Sequence, residues 1–133
     1  MKYKKGYKYQ LTEDEVTQTP IHPAEDIDTH FITLTKTGLL TVRNGYAWDG
    51  PSGPTVDTDN SMTPSLNHDA FAQLMRMMLL SRMWRILTNV FFAQQCLKRK
   101  MWRARAWFWK NTLDKFGAPS TNPKNAKKEY EVE

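Results

Sequence analysis

The spacing of apolar residues changes character along this chain. Residues 1–11 alternate loosely, with Tyr3, Tyr7, Tyr9 and Leu11 set among lysines. That pattern predicts a strand-like N-terminal arm that pairs with something. Residues 12–29 lose the alternation. Pro20 and Pro23 stand among Glu13, Asp14, Glu15, Glu25, Asp26 and Asp28, which reads as an irregular acidic surface segment. Period two then returns. Phe31–Thr35 and Leu39–Arg43 predict two strands about a Lys36-Thr37-Gly38 turn. Asn44-Gly45 is a hairpin signal, because both residues tolerate positive φ, and it leads to a short third strand at Tyr46–Trp48.

Beyond the strands lies a Gly/Pro-punctuated loop, from Gly50 to about Thr63. Pro51 and Pro54 fix φ, while Gly50 and Gly53 supply freedom. Period 3.6 follows. Thr63 is the expected N-cap of a first helix, with Pro64 at its first position. Leu66, Ala70, Phe71, Leu74 and Met78 form its apolar stripe. A break near Leu80-Ser81 precedes a second helix over 82–99. Its wide arc of Met83, Trp84, Ile86, Leu87, Val90, Phe91 and Leu97 predicts a central position. A third helix is expected over 101–116, striped by Trp102, Ala106, Trp109, Leu113 and Phe116 and ended by Gly117 and Pro119. Residues 118–133 have no apolar pattern and read as a flexible tail. The expected fold is α+β: a small antiparallel β-meander packed against about three helices. The arm and acidic segment (1–29), a single domain (30–117) and the tail (118–133) divide the chain.

At 133 residues the chain suits one domain that buries a core without staples. The single cysteine, Cys96, excludes an internal disulfide. No apolar run approaches the roughly 18 residues of a bilayer span, and no apolar signal core follows the basic N-terminus. The formal charge of +5 is unevenly placed. Residues 1–65 carry 6 basic and 9 acidic side chains, and residues 66–133 carry 13 basic and 5 acidic ones. Such asymmetry serves either an anionic partner or the mutual attraction of the two halves.

Candidate chemistry gathers around the loop and the first helix. His68 is read as a general base or metal ligand, with Asp49 or Asp57 as partner, because imidazole and carboxylate suit proton transfer or a divalent cation. Asp69 adjoins His68 but diverges from it by roughly 100° around the helix axis. The same residues have a structural reading, in which His68 anchors the loop, Asp49 shapes a turn and Asp69 favours the helix N-terminus. Ser52 lies in Gly50-Pro51-Ser52-Gly53, which is not the Gly-x-Ser-x-Gly elbow of a serine nucleophile. The phosphate-loop ending Gly-Lys-Ser/Thr is also missing. Arg85 and Asn89 sit one turn apart, off the second helix's apolar arc, where they could share a cleft with His68 and Asp69. Trp107 points away from the third helix's core stripe within a basic field. One such Trp fits a protein contact better than a nucleic-acid platform.

Gly45-Tyr46-Ala47-Trp48-Asp49-Gly50-Pro51-Ser52-Gly53-Pro54-Thr55, with Ser65-Leu66-Asn67-His68-Asp69-Ala70 downstream, resembles a small family of uncharacterised proteins of tailed phages and prophages. Its members pair a Trp-Asp-Gly-x-Ser loop with a His-Asp helix, then an Arg-x-x-Ala-Asp element and a closing Phe-Gly turn. Residues 31–120 carry the resemblance. Arg85–Asn89 matches the third element and Phe116-Gly117 the last, but the family's Asp is Asn89 here. The resemblance implies a phage origin and assigns no activity. It leads us to expect a non-enzymatic virion or tail-associated component, located in the virion or host cytoplasm, with other phage proteins or itself as partner and without a cofactor. Trp48, Ser52, Asp57, Arg85, Asn89 and Trp107 are its expected binding residues. The alternative is a hydrolase, with or without a divalent metal, in which His68, Asp49 and Asp69 are the catalytic residues and His68 and Asp57 the metal ligands.

Overall fold

A computed structural model describes residues 2–5, 9–48, 59–98, 110–111, 113–115 and 121. Its fold class is α+β, as expected. Seven strands form two antiparallel sheets among the described residues. β1 (Tyr3–Lys5), β2 (Tyr9–Leu11) and β7 (Ala47–Trp48) make one sheet in that spatial order. The other has the order β3 (Glu15–Gln18), β6 (Leu39–Val42), β5 (Ile32–Leu34), β4 (Ile27–Asp28).

The β5–β6 hairpin follows from its sequence. Ile32 and Leu34 point inward and Thr33 between them does not, as strict alternation requires. Gly38 N–H donates to Thr35 O at 2.9 Å, and Gly38 takes φ +90°, closing a three-residue loop with glycine in the left-handed region.

Two expectations about the strands are overturned. Residues 12–29 are not irregular throughout, since β3 and β4 flank the hairpin on its two edges. Their sequence hides this because β3 turns Val16 outward and its inner face is polar, so backbone pairing to β6 carries the strand. Ile21 and Ile27, isolated among polar residues, enter the core. The second correction concerns Asn44-Gly45. Tyr46 N–H donates to Arg43 O at 3.1 Å, which closes a turn, but only Gly45 has positive φ (+99°). A two-residue hairpin turn of the type read from Asn-Gly needs positive φ at both residues. β7 therefore leaves β6 and pairs with β2, Tyr9 opposite Trp48. The first eleven residues thus supply the partner of β7, and Tyr9 and Leu11 belong to the core.

The long helix α1 (Asp59–Arg76) begins before the expected Thr63 cap and carries Pro64 inside it. Pro64's fixed φ is compatible with helix, and the helix forgoes one hydrogen bond there. Leu66, Ala70, Phe71 and Leu74 are buried against the sheets as their spacing predicts. Met78 is not, because the helix stops first. Met78 N–H donates to Met75 O at 3.0 Å and Leu79 N–H to Leu74 O at 2.9 Å. These are the two bonds of a Schellman cap, with Met78 at φ 62° in the position glycine usually occupies.

Ser81 starts the next element at the expected break. Its hydroxyl accepts from Met83 N–H at 3.2 Å and caps a 3-10 turn, Arg82–Trp84, that runs into α2 (Arg85–Lys98). The orientation of α2 differs from expectation. Met83, Ile86 and Leu97 of the apolar arc are exposed, whereas Thr88, Asn89, Phe92, Gln95 and Cys96 are buried. Trp84, Leu87 and Phe91, at the edge of the arc, do reach the core. The helix is turned by the polar bonds that Asn89 makes to its neighbours, described below. Of the expected third helix, residues 110, 111 and 113–115 are helical. The rest of it and all of the expected tail but Thr121 lie outside the described residues. No described helix is long and apolar enough to cross a membrane.

Candidate functional site

His68 sits on the face of α1 that meets α2. Asn89 occupies the facing position on α2, and His68 Nε2 and Asn89 Oδ1 are 2.6 Å apart. Asn89 Nδ2 donates to Asp114 Oδ1 at 2.7 Å, and Lys110 Nζ pairs with Asp114 Oδ2 at 2.6 Å. Arg85, one turn before Asn89, donates from Nη1 to the carbonyls of Leu113 (3.4 Å) and Asp114 (3.3 Å). Four side chains from three helical segments thus form one bonded series: Lys110, Asp114, Asn89, His68.

The chemistry of the series fixes its polarity. A carboxylate only accepts, so the Asn89 amide must turn its NH2 to Asp114 and its oxygen to His68. The His68 atom facing that oxygen must then donate, which makes it Nε2–H. In the neutral ring Nδ1 is left with a lone pair, and Nδ1 has no hydrogen-bond partner among the described residues.

The electrostatics keep the ring neutral. Desolvation of the half-buried imidazole lowers the His68 pKa from its ordinary 6.5, the bond to Asn89 opposes that shift, and the Arg85 charge adds to it. Phe92 packs edge-on against the imidazole at 5.7 Å and contributes to its apolar surroundings. For Asp114, burial pushes the pKa up. The bonds from Lys110 and Asn89 and the nearby positive charges outweigh it and hold the carboxyl below its ordinary 3.8. At neutral pH the series therefore reads ammonium, carboxylate, amide, neutral imidazole.

The expected site residues divide into three groups. His68, Arg85 and Asn89 come together. Trp48 is buried at the start of the loop, where its Nε1–H donates to Ser65 Oγ of α1 at 3.1 Å and its ring packs on Tyr9. Asp69 is half-buried beside His68 on α1. Asp49, Ser52, Asp57 and Trp107 lie outside the described residues. Among the described residues no group of three or more His, Cys, Asp or Glu side chains gathers to hold a metal ion. His68 contributes one lone pair there, and its expected co-ligand Asp57 is not described.

Asp114 and Lys110 were not picked out by the sequence reading. A signal was present: Asp114 is the sole acid between Asp69 and Glu129, four residues after a lysine in an otherwise basic stretch. A lone acid in such a field pairs locally, and its second oxygen was free to organise something else. Comparison with protein-family models, curated proteins and solved structures gives no match.

Proposed function

We propose that His68 is the proton-transfer base of a small hydrolytic enzyme, with Asn89, Asp114 and Lys110 as positioning residues. One observation carries this reading: the Asp114-oriented amide of Asn89 holds Nε2 as the donor and leaves the Nδ1 lone pair of a neutral imidazole without a partner among the described residues. A general base needs that lone pair at neutral pH, and a lowered pKa keeps it available. The proton taken up at Nδ1 makes an imidazolium. Asn89 Oδ1, polarised from behind by the Asp114 carboxylate, accepts the hydrogen bond of the charged ring. The nearby Arg85 charge suits a substrate that develops negative charge on oxygen, such as an ester or phosphoester.

Hydrolysis of p-nitrophenyl acetate and p-nitrophenyl phosphate tests the reading. Turnover that is lost in His68→Ala and His68→Gln, with both variants folded, and that falls in Asn89→Ala with an altered pH profile supports it. Calorimetry with Mn²⁺, Zn²⁺ and Mg²⁺ on the wild type and His68→Ala decides whether the lone pair serves a divalent cation instead.

A second reading is a non-enzymatic virion or tail-associated phage component, in the virion or host cytoplasm. The resemblance to tailed-phage proteins favours it, as does Asn89 in the place of the family's acid. In this reading the bonded series pins α1, α2 and residues 110–115 to one another. A folded protein without turnover or metal binding, recovered in assembled particles, supports it.

A further inference from the structure

We propose that β3 is the seat of a symmetric dimer, in which the β3 edges of two copies of this chain pair antiparallel about a two-fold axis at Thr17. β3 has β6 on one side and no described strand on the other. Its register fixes which backbone groups look outward. Thr19 N–H donates to Gly38 O at 2.9 Å, so in antiparallel alternation Thr17 and Glu15 also bond to β6, opposite Leu40 and Val42. The N–H and C=O of Val16 and Gln18 therefore point away from the sheet, and no described residue bonds to them. Such an edge is a template for another strand. The opposite edge of the same sheet is blunted, since β4 is only two residues long.

The placing of these groups selects the occupant. Val16 and Gln18 stand symmetrically about Thr17, so the edge is its own complement: Val16 exchanges both backbone bonds with Gln18 of the second copy. Pro20, which has no N–H, bounds the pairing. On the outer face Val16 is 56% exposed and lies one diagonal from Val16 of the second copy. Gln18 Nε2 donates to Thr37 O at 2.7 Å, which draws its amide back to its own hairpin. On the inner face Thr17 meets Thr17 across the axis. Thr17 Oγ1 accepts from Asn67 Nδ2 at 3.1 Å, and its O–H has no acceptor among the described residues. A cross-strand Thr–Thr pair supplies one. The register sets Glu15 opposite Thr19, so the acids at residues 13–15 do not face each other. α1 makes its strand contacts chiefly with β6. The two β6 strands would lie roughly 14 Å apart, which leaves room for two helices ~10 Å wide. A foreign strand would find the same backbone groups, but only a second copy brings Val16 and Thr17 to their counterparts.

Sedimentation of the full chain over a range of concentrations tests this, and we expect a concentration-dependent dimer. Val16→Lys keeps every bond to β6, because the backbone of residue 16 faces outward. It should weaken the dimer by more than about tenfold, since it sets like charges one diagonal apart on the edge. Met83→Asp, at an exposed position of the 3-10 turn, should leave the dimer unchanged. Thr17→Cys should cross-link to itself on mild oxidation, because a non-hydrogen-bonded pair sets its Cα atoms about 4.5 Å apart, within disulfide reach. Met83→Cys should not. Folded wild type that stays monomeric up to about 1 mM overturns the proposal. So does a dimer that survives Val16→Lys, or one that Thr17→Cys fails to cross-link. A monomer whose Val16 and Gln18 amides are protected from exchange only when an alternating Thr-Val peptide is added gives the edge to a foreign strand and also overturns it.

Discussion

His68 Nε2 lies 2.6 Å from Asn89 Oδ1, and Asp114 on the far side of the amide decides which of the two carries the proton. The tautomer of one helix's histidine is thus set by a carboxylate it never touches. Nitrogen-15 NMR should show Nε2 protonated and Nδ1 unprotonated at pH 7, with the His68 midpoint below 6.5. The stability consequence has a definite sign. The folded state resists charging His68 and the unfolded state does not, so below the usual 6.5 the unfolded chain binds more protons. Stability from this residue is complete above that value and falls as pH drops toward the lowered folded midpoint. Urea unfolding at pH 7.5 and 5.5 should show the loss, and it should be smaller in His68→Gln. Asp114 acts in a separate window. Its lowered pKa stabilises the fold above 3.8, a contribution lost as pH falls through the folded value.

Asn89→Asp tests the series from its middle. It removes the donor to Asp114 and brings two carboxylates to hydrogen-bond distance. We expect a loss of about 1–3 kcal/mol at pH 7 by urea unfolding, the usual range for leaving a buried polar partner unsatisfied. The His68 midpoint should rise relative to the wild type, because an anion now faces the imidazole.

Met78→Gly should stabilise the protein by about 1 kcal/mol, because glycine takes the left-handed cap position without the Cβ penalty. Thermal unfolding should register a few degrees.

Trp48 ties the first sheet to α1 through Ser65. Trp48→Phe keeps most of the ring and loses the N–H donor, and Ser65→Ala loses the acceptor. Each should cost about 1 kcal/mol. Ser65→Ala also loses the hydroxyl's donation to Met62 O at 2.9 Å, so the double variant should cost little more than Ser65→Ala alone, the Trp48–Ser65 bond being shared. Trp48→Ala should cost about 3–5 kcal/mol, as expected of a buried aromatic that packs on Tyr9.

Gly38→Ala should be among the most damaging single-methyl additions in the sheets. A Cβ there would come within 2.2 Å of Thr19 O, at a φ of +90°. The backbone nearby is fixed by Thr19 N–H and Thr19 Oγ1, which both donate to Gly38 O. We expect a loss above 2 kcal/mol, roughly the sum of left-handed strain and steric displacement, measured by equilibrium unfolding.

Local pattern was legible where a residue's neighbours alone decide its place. Ile32, Leu34, Leu40 and Val42 alternate and are buried, and Leu66, Ala70, Phe71 and Leu74 recur with helical spacing and are buried. It failed where long-range polar bonds decide. The apolar arc of α2 faces outward at Ile86 and Leu97 because Asn89 and Thr88 are drawn inward. The partners of Asn89, His68 and Asp114, lie on other segments, and spacing along α2 contains no record of them. β3 and β4 were hidden for a related reason, since their place comes from pairing with β6 and β5 rather than from alternation. The candidate site was half legible. His68, Arg85 and Asn89 were named and do meet, whereas Asp114 and Lys110 carry the orientation and were passed over.

The segment between β7 and α1 enters from Trp48, paired with Tyr9, and leaves into a helix whose Ser65 bonds back to Trp48. The Tyr9–Trp48 pairing and the Trp48–Ser65 bond both join described residues on either side of it. Closing a longer segment costs only about 0.6 kcal/mol for each doubling of its length. The frame therefore behaves as a socket, whose stability is largely insured against changes in what is plugged into it.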